Sequence, residues 1–205
     1  MSRQSPPDFH LEDAAKRRGL VPVCGIDEAG RGPWAGPVVA AAVILDPGAI
    51  PPGLDDSKTL APARREALFD AIRQTSRVGI AIADVARIDS SNILGATLWA
   101  MAEAVTSLNG VAFALVDGNR APVLACPAET IVGGDGRSLS IAAASIVAKV
   151  TRDRIMTGLD RKFPHYGFAR HKGYGTAAHM AALAHHGPCP EHRRSFAPIA
   201  ALLAR

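Results

Sequence analysis

Short apolar segments alternate along the chain with longer segments whose apolar residues recur every three or four positions, a pattern that predicts a mixed α/β fold. The apolar runs Val21 to Ile26 and Val38 to Leu45 are separated by a stretch rich in glycine and proline, so they are interpreted as two strands of a hairpin. Three further strands are predicted at Val78 to Val85, Val111 to Val116 and Thr130 to Val132.

Helices are predicted between and after these strands. Pro62 stands at a first-turn position, and two serine pairs stand where helix caps are preferred, at Ser90 or Ser91 and at Ser138 or Ser140. The helices are predicted at about Ala61 to Thr75, from the first serine pair through Leu108, from the second pair through Arg152, at Ala177 to His186 and at Ala197 to Leu203.

The domain organisation follows from the same pattern. Residues 1–19 have no sustained periodicity and are predicted to form a loosely ordered extension, with one turn of helix at Glu12 to Arg17. Residues 20–205 are predicted to form one domain, in which about 160–205 make a C-terminal helical subdomain.

Acidic residues follow three of the predicted strands. Asp27 and Glu28 end the first strand, Asp117 ends the fourth, and Asp135 lies in a Gly-Gly-Asp-Gly segment after the fifth. Each acid alone is compatible with a solvated turn. Acids at several strand ends converge at one edge of a sheet, however, and such a group repels itself unless a cation compensates its charge. These four residues therefore predict an oxygen-rich site for a magnesium-type ion.

Composition and charge restrict the function further. The chain has 205 residues, 48% of them hydrophobic, and no apolar segment long enough to cross a membrane or to serve as a signal peptide, so we expect a cytoplasmic protein. Its three cysteines form no Cys-x-x-Cys pair and indicate no disulfide framework. From Lys149 onward there are ten basic residues against three acidic ones, whereas the preceding residues carry 13 against 16. A metal-binding part beside a basic part favours a partner rich in phosphate, although a solvated charged surface is the alternative.

Several polar residues are candidate contacts for such a partner. Ser57 and Lys58 lie in a loop, and Ser145, Lys149 and Arg152 fall on one face of a predicted helix, where they could line a track for a phosphate backbone. Tyr174 lies between glycines in a loop, which suits stacking on a sugar or base as well as a surface tyrosine without a role.

The C-terminal histidines and arginines leave further alternatives. His185, Cys189 and His192 could bind zinc, but prolines flank the cysteine and no second pair completes a tetrahedral set, so a helix end with solvated histidines is favoured. The following Arg193, Arg194 and Ser195 are interpreted as phosphate contacts or as a surface turn.

Six longer motifs carry a resemblance to a known family. They are GIDEAGRGPWAGPVVAAAVIL, DDSKTL, LVDGN, SIAAASIVAKVTRDR, HKGYGT and HRRSF. In this order, over about Val21 to Pro198, they resemble bacterial ribonuclease HII. The resemblance implies a ribonuclease H-like fold with a mixed central sheet flanked by helices and a C-terminal helical extension. It also implies an endoribonuclease that hydrolyses the RNA strand of RNA–DNA hybrids and nicks duplex DNA 5′ to embedded ribonucleotides, leaving 5′-phosphate and 3′-hydroxyl ends.

The resemblance assigns roles to individual residues. The catalytic, metal-binding acids of the family fall on Asp27, Glu28, Asp117 and Asp135, the ribose-reading Gly-Arg-Gly turn on Gly30, Arg31 and Gly32, and the junction-sensing tyrosine on Tyr174. The expected cofactor is Mn²⁺ or Mg²⁺, as two ions about 3.5 to 4 Å apart that activate water and stabilise the departing 3′-oxygen. One departure is Gly133, which stands where many members have lysine.

The expected partners are RNA–DNA hybrids and DNA with embedded ribonucleotides. The protein is expected to act as a monomer and not to associate with a membrane. Two alternatives stay open. A ribonuclease HIII-type nuclease would need runs of hybrid, and a non-catalytic hybrid-binding protein would use the basic face alone. The Gly-Arg-Gly turn disfavours the first, and four acids that would face phosphate disfavour the second.

Overall fold

A computed structural model describes residues 6–204 and has a five-stranded mixed sheet at its centre. The strands are β1 (Val23–Ala29), β2 (Val38–Leu45), β3 (Ser76–Ala83), β4 (Phe113–Asp117) and β5 (Ala128–Ile131). Their order across the sheet is β3-β2-β1-β4-β5. β1 pairs antiparallel with β2, which pairs antiparallel with β3, whereas β4 is parallel to both β1 and β5. The predicted hairpin and the mixed sheet are confirmed.

Helices cover both faces of this sheet. They are α1 (His10–Arg17), α2 (Pro62–Thr75), α3 (Val85–Thr106), α4 (Leu139–Lys162), α5 (Phe168–His171), α6 (Ala177–His186) and α7 (Ala197–Leu203). All eight residues of β2 are buried, because successive side chains alternate between the two covered faces. Ala40 and Ala42 pack with α3, while Ala41 and Val43 pack with α2 and α4. No helix in the described part of the chain is both long enough and apolar enough to span a membrane.

The C-terminal helices form a separate hydrophobic cluster. Phe168 of α5, Leu183 of α6 and Ile199 of α7 pack against Met156 near the end of α4. Ala35, which follows the Gly-Arg-Gly segment, belongs to the same cluster. The C-terminal helical extension implied by the resemblance is therefore present, and its core reaches the segment after β1.

Several predicted boundaries differ from the structure. β1 extends through Ala29, so Asp27 and Glu28 lie inside the strand instead of after it. The predicted caps at Ser90 and Ser91 are wrong, because α3 begins earlier, with Asp84 accepting a hydrogen bond from the Arg87 amide. A kink at Asn92, where φ is 60°, divides α3 near the predicted start. Ser138, by contrast, caps α4 as predicted.

The prediction that residues 1–19 are loosely ordered is wrong for the described residues 6–19, although the helical turn predicted at Glu12 to Arg17 is confirmed as part of a helix. Helix α1 has eight residues, and Glu12 on it is only 3% exposed. The Glu12 carboxylate accepts hydrogen bonds from the Ser138 and Ser140 hydroxyls, each at 2.6 Å, and from the Ser140 amide at 2.9 Å. A buried acid with three donors was not visible in the sequence pattern, because its partners lie more than 120 residues away.

Candidate active site

Asp27 and Glu28 lie near the C-terminal end of β1, the central strand of the sheet. Asp27 is 4% exposed, and its Oδ1 accepts a hydrogen bond of 2.7 Å from the Glu28 amide. Because neighbouring side chains of a strand point to opposite faces, the two carboxylates leave the sheet on different sides. Asp27 lies on the side of α4, near Ser145, and Glu28 forms an ion pair of 3.4 Å with Arg31.

Asp117 reaches the same edge from the adjacent parallel strand. Ile26 of β1 pairs with Val116 of β4, so the next residue on each strand, Asp27 and Asp117, are neighbours across the sheet. Asp117 Oδ1 accepts a hydrogen bond of 2.7 Å from the Gly134 amide. This bond brings the segment that carries Asp135 onto the end of β4. The sequence prediction that these acids converge is supported by the strand register.

Asp135 lies in a 3-10 turn at Gly134–Gly136 and is buried. Its Oδ2 accepts a hydrogen bond of 3.1 Å from Lys58 Nζ. Partial burial by itself would lower the pKa of Lys58. The hydrogen bond to Asp135 and the negative charge of Asp135 have the larger combined effect, so the pKa of Lys58 is raised. Gly133, the departure from the motif noted in the sequence, has φ of 64°. Lys58 thus supplies a positive charge beside Asp135 from a different loop.

Asp27, Glu28, Asp117 and Asp135 are called the acidic site below, and the first three of them have raised pKa values. Burial, and then the charges of Glu28 and Asp117, hold the pKa of Asp27 well above its usual range. Burial also raises the pKa of Glu28, with Arg31 opposing it and Asp117 adding to it. The pKa of Asp117 is raised by burial and by Asp135. A cation placed among them would relieve this repulsion.

The donor set of the acidic site fits a hard divalent cation. It offers carboxylate oxygens only, the ligands that Mg²⁺ and Mn²⁺ prefer. In residues 6–204 no three acidic, histidine or cysteine side chains are close enough together to enclose an ion. The carboxylates are bonded to the Glu28 and Gly134 amides, Arg31 and Lys58. Binding of an ion would therefore require these side chains to turn towards one another.

A cavity of about 300 Å³ lies beside Glu28 and contains the predicted substrate-binding residues. It is lined by Glu28, Ala29, Gly30, Arg31, Gly32, Ser57, Lys58, Ser145, Lys149, Arg152 and Tyr174. All nine residues that the sequence singled out for substrate contact are therefore around one cavity. Tyr174 is 49% exposed, so it is accessible from the solvent.

The segment Gly30 to Gly32, called the recognition turn below, forms one wall of this cavity. Gly30 has φ of 101°, and a Cβ there would lie 2.0 Å from Arg152 Nε, so only glycine fits without rearrangement. A Cβ on Gly32 would lie 3.5 Å from Cε1 of Tyr174. The tyrosine ring therefore lies beside the recognition turn, one side-chain carbon away from van der Waals contact with Gly32.

The predicted polar track on α4 is only partly exposed. Ser145 is buried and shares a hydrogen bond of 2.9 Å with Ser57, and Lys149 is paired with Asp153 at 2.9 Å. Arg152 is 1% exposed and donates to the backbone oxygens of Pro37, Ala35 and Lys172. The prediction that Arg152 lines a track for a phosphate backbone is thus wrong, because its side chain points into the protein beneath the recognition turn.

Arg193 and two histidines have structural positions that the sequence did not indicate. Arg193, interpreted as a phosphate contact or a surface turn, is fully buried and bonded to the backbone of residues 30–37. His192 and His179 are also buried, with 2.9 Å between their Nε2 atoms. The favoured interpretation of solvated histidines is wrong for His192, and no zinc-type cluster occurs in residues 6–204.

The histidine pair holds the loop at 172–176, called the tyrosine loop below. Cys189 donates its amide proton to His192 Nδ1 at 2.9 Å, so His192 Nε2 carries the proton that faces His179. His179 Nδ1 then donates to the Tyr174 carbonyl at 2.9 Å. Both rings are neutral in this arrangement. The backbone of Tyr174 is thereby fixed to α6 and to the C-terminal segment.

Comparisons with known proteins agree with one another. A family profile described as Ribonuclease HII matches residues 24–199. A Ribonuclease HII from Azorhizobium caulinodans is 60% identical over 194 residues, which cover 94% of this chain and 75% of the relative. A solved structure described as a PCNA:RNase HII complex from Archaeoglobus fulgidus gives a TM-score of 0.74 at 27% identity, covering 85% of this chain and 94% of that one. Bst-RNase HIII in complex with Mn²⁺ gives 0.63 at 20% identity, covering 93% and 72%, which supports the fold alone.

Proposed function

This chain belongs to the ribonuclease HII family of endonucleases that cut the RNA strand of RNA–DNA hybrids, and from that membership we propose that it also nicks duplex DNA 5′ to single embedded ribonucleotides. The observation that carries the proposal is the position of the recognition turn. It begins only two residues after Glu28 of the acidic site and lines the same cavity as Tyr174. The group that identifies a sugar and the groups that act on its phosphate are then on one short segment.

The acidic site is proposed to bind Mg²⁺ or Mn²⁺ through Asp27, Glu28, Asp117 and Asp135. When bound, a pair of such ions activates water for in-line attack and stabilises the charge of the departing 3′-oxygen. The raised pKa values of Asp27, Glu28 and Asp117 support this assignment, since a cation would stabilise their charged forms. Lys58 beside Asp135 would hold the fourth acid in place and lie near the substrate phosphate.

Different residues of the cavity are proposed to recognise different parts of the nucleic acid. The backbone of Gly30, Arg31 and Gly32 would meet the 2′-hydroxyl, which is the group that distinguishes RNA from DNA. The exposed ring of Tyr174 would stack on the following sugar and favour a deoxyribose, which lacks that hydroxyl. Ser57, Lys58, Ser145 and Lys149 border the cavity and would contact the backbone near the cleaved bond, with Arg152 acting through the turn that it supports.

The two rival functions differ from this proposal in observable ways. A ribonuclease HIII-type enzyme would cut runs of hybrid but leave a single ribonucleotide intact. A non-catalytic binding protein would cut neither. The position of Gly32 and Tyr174 around one cavity favours the proposal, because a junction reader needs both groups at adjacent sugars.

Other parts of the proposal concern the setting of the enzyme. Its substrate is nucleic acid, and bacterial relatives would meet that substrate in the cytoplasm. We propose that the catalytic domain comprises residues 20–205, with α1 docked on it through Glu12, and that it acts as a monomer, since the recognition turn, the tyrosine loop and the acidic site all come from one chain.

The deciding experiment uses a labelled DNA duplex with one ribonucleotide in one strand. Nicking on the 5′ side of that ribonucleotide, dependent on Mg²⁺ or Mn²⁺, is the expected result. The matched control is the same sequence without the ribonucleotide, and a duplex with a run of RNA separates the rival. Cleavage of the RNA run with an intact single ribonucleotide would replace the proposal by the HIII-type activity.

A further inference from the structure

Two buried arginines lie beneath the recognition turn without an acidic partner. Arg193 is 0% exposed and Arg152 is 1% exposed, and neither forms an ion pair within residues 6–204. Burial lowers the pKa of Arg193 to about 9 and that of Arg152 to about 10, so both remain charged at neutral pH. A buried charge is costly unless other groups satisfy it. Here backbone carbonyl oxygens do so.

Arg193 donates hydrogen bonds to backbone carbonyl oxygens of the segment that contains the recognition turn. Its Nη2 donates to Gly30 O at 2.6 Å and to Pro37 O at 3.2 Å, its Nη1 to Arg31 O at 2.9 Å, and its Nε to Gly36 O at 2.9 Å. The planar guanidinium fork fixes the directions of these oxygens as well as their positions. Two of them belong to the recognition turn itself.

The orientation of those two carbonyls determines the orientation of two amides. The Gly30 carbonyl shares a planar trans peptide with the Arg31 N–H, and the Arg31 carbonyl shares one with the Gly32 N–H. In such a unit the N–H points opposite to the C=O. Because both carbonyls point at Arg193, both N–H groups point away from it. Within the described residues, neither amide donates a hydrogen bond to the protein.

We propose that Arg193 is a positioning residue for sugar recognition, which orients the Arg31 and Gly32 amides towards the cavity as a preset pair of donors for the ribose hydroxyl. This rests on the proposed function, since it specifies how the recognition turn would read the sugar. Arg152 has the complementary role of joining the two recognition elements. It donates to Ala35 O and Pro37 O after the turn and to Lys172 O at the start of the tyrosine loop.

The test is the variant Arg193→Lys, which keeps the charge but loses the fork. Binding is measured by fluorescence anisotropy in an Asp117→Asn background, with a duplex that contains one ribonucleotide and with the all-DNA duplex of the same sequence. We expect the preference for the ribonucleotide to fall about tenfold, as for the loss of one or two hydrogen bonds to a charged group. The affinity for all-DNA, which depends on phosphate contacts, is expected to stay unchanged.

Arg194→Lys is the matched control, because Arg194 is exposed and only its backbone amide has a partner, Asp89. It should leave the preference intact. A preference unchanged in Arg193→Lys would overturn the inference, and so would a parallel loss of both affinities, which indicates a general structural role. Failure of the unaltered protein to nick a single ribonucleotide would instead reject the proposed function.

A second measurement does not depend on the folding of the variant. In the Asp117→Asn protein, the amide NMR signals of Arg31 and Gly32 should shift more with the ribonucleotide duplex than with all-DNA. Equal shifts with the two duplexes would show that these amides do not sense the hydroxyl and would overturn the inference.

Discussion

Asp117 connects the two parts of the acidic site. It lies beside Asp27 across the β1–β4 pair, and its Oδ1 also accepts the Gly134 amide that anchors the Asp135 turn. Its carboxylate therefore has a chemical role as a proposed metal ligand and a structural role as an acceptor. These roles can be separated, because asparagine keeps the acceptor oxygen and removes the charge.

We expect Asp117→Asn to lower the cleavage rate by about a thousandfold or more, which corresponds to about 4 kcal/mol of transition-state stabilisation. Affinity for duplex should be retained or slightly increased, because one negative charge facing phosphate is removed. Single-turnover cleavage and anisotropy measure the two quantities. Glu129→Gln, an exposed carboxylate on β5, is the control and should change neither. Normal turnover in the asparagine variant would reject the metal-site assignment.

At the scale of whole elements, α1 is fixed to the beginning of α4. The Glu12 carboxylate satisfies the Ser140 amide and two hydroxyls at the α4 N-terminus, where the helix dipole also favours a negative charge. The Leu139 amide donates to Asp8 O at 3.0 Å, three residues after the Asp135 turn ends. Helix α1 thus supports the segment that connects the acidic site to α4.

Glu12→Ala should destabilise the protein by about 1–3 kcal/mol, because it leaves buried donors without an acceptor. Glu12→Gln should cost less, since the amide keeps one acceptor oxygen. Urea unfolding followed by circular dichroism gives both values. The neighbouring exposed residue supplies the control, Asp13→Ala, which should be nearly neutral. If Glu12→Ala is as mild as this control, the docking of α1 does not contribute to stability.

The elements show what the sequence could and could not specify. Periodicity located the strands and most helices, because apolar spacing is a local property, and β2, α6 and α7 have their predicted bounds. The alignment of Asp27 with Asp117 was predictable because parallel strands end at one edge. The buried states of Arg152, Arg193 and Glu12 were not, because their acceptors and donors lie at distant positions in the chain. The residues next to a charged residue in the sequence do not reveal whether its side chain lies on the surface or is buried beneath a loop.

At the scale of the whole molecule, the sheet and the C-terminal cluster meet around the recognition elements. The Trp34 amide donates to Gly173 O, and the Arg193 amide donates to Trp34 O, each at 2.8 Å. The chain after the recognition turn therefore runs between the tyrosine loop and the C-terminal segment. The neutral pair His179 and His192 connects that segment to α6. Protonation of either histidine should therefore weaken the packing between α6 and the C-terminal segment.

The pH dependence of stability tests this expectation. Burial, and then the neighbouring His179, lower the pKa of His192 to about 4 from an ordinary value near 6.5, and burial also lowers that of His179. A histidine with a depressed pKa binds protons more readily when unfolded. Its contribution to stability is therefore present above about pH 6.5 and is lost progressively as the pH falls towards 4.

We expect His192→Asn to reduce the fall in melting temperature between pH 7 and pH 5, although the variant is less stable at pH 7. Each kcal/mol of the pH-dependent term corresponds to about 2–4 °C for a chain of this size. Differential scanning fluorimetry at several pH values measures the difference. The same pH-dependent fall in His192→Asn as in the unaltered protein would place the acid sensitivity elsewhere, since the variant lacks the ring that must become charged.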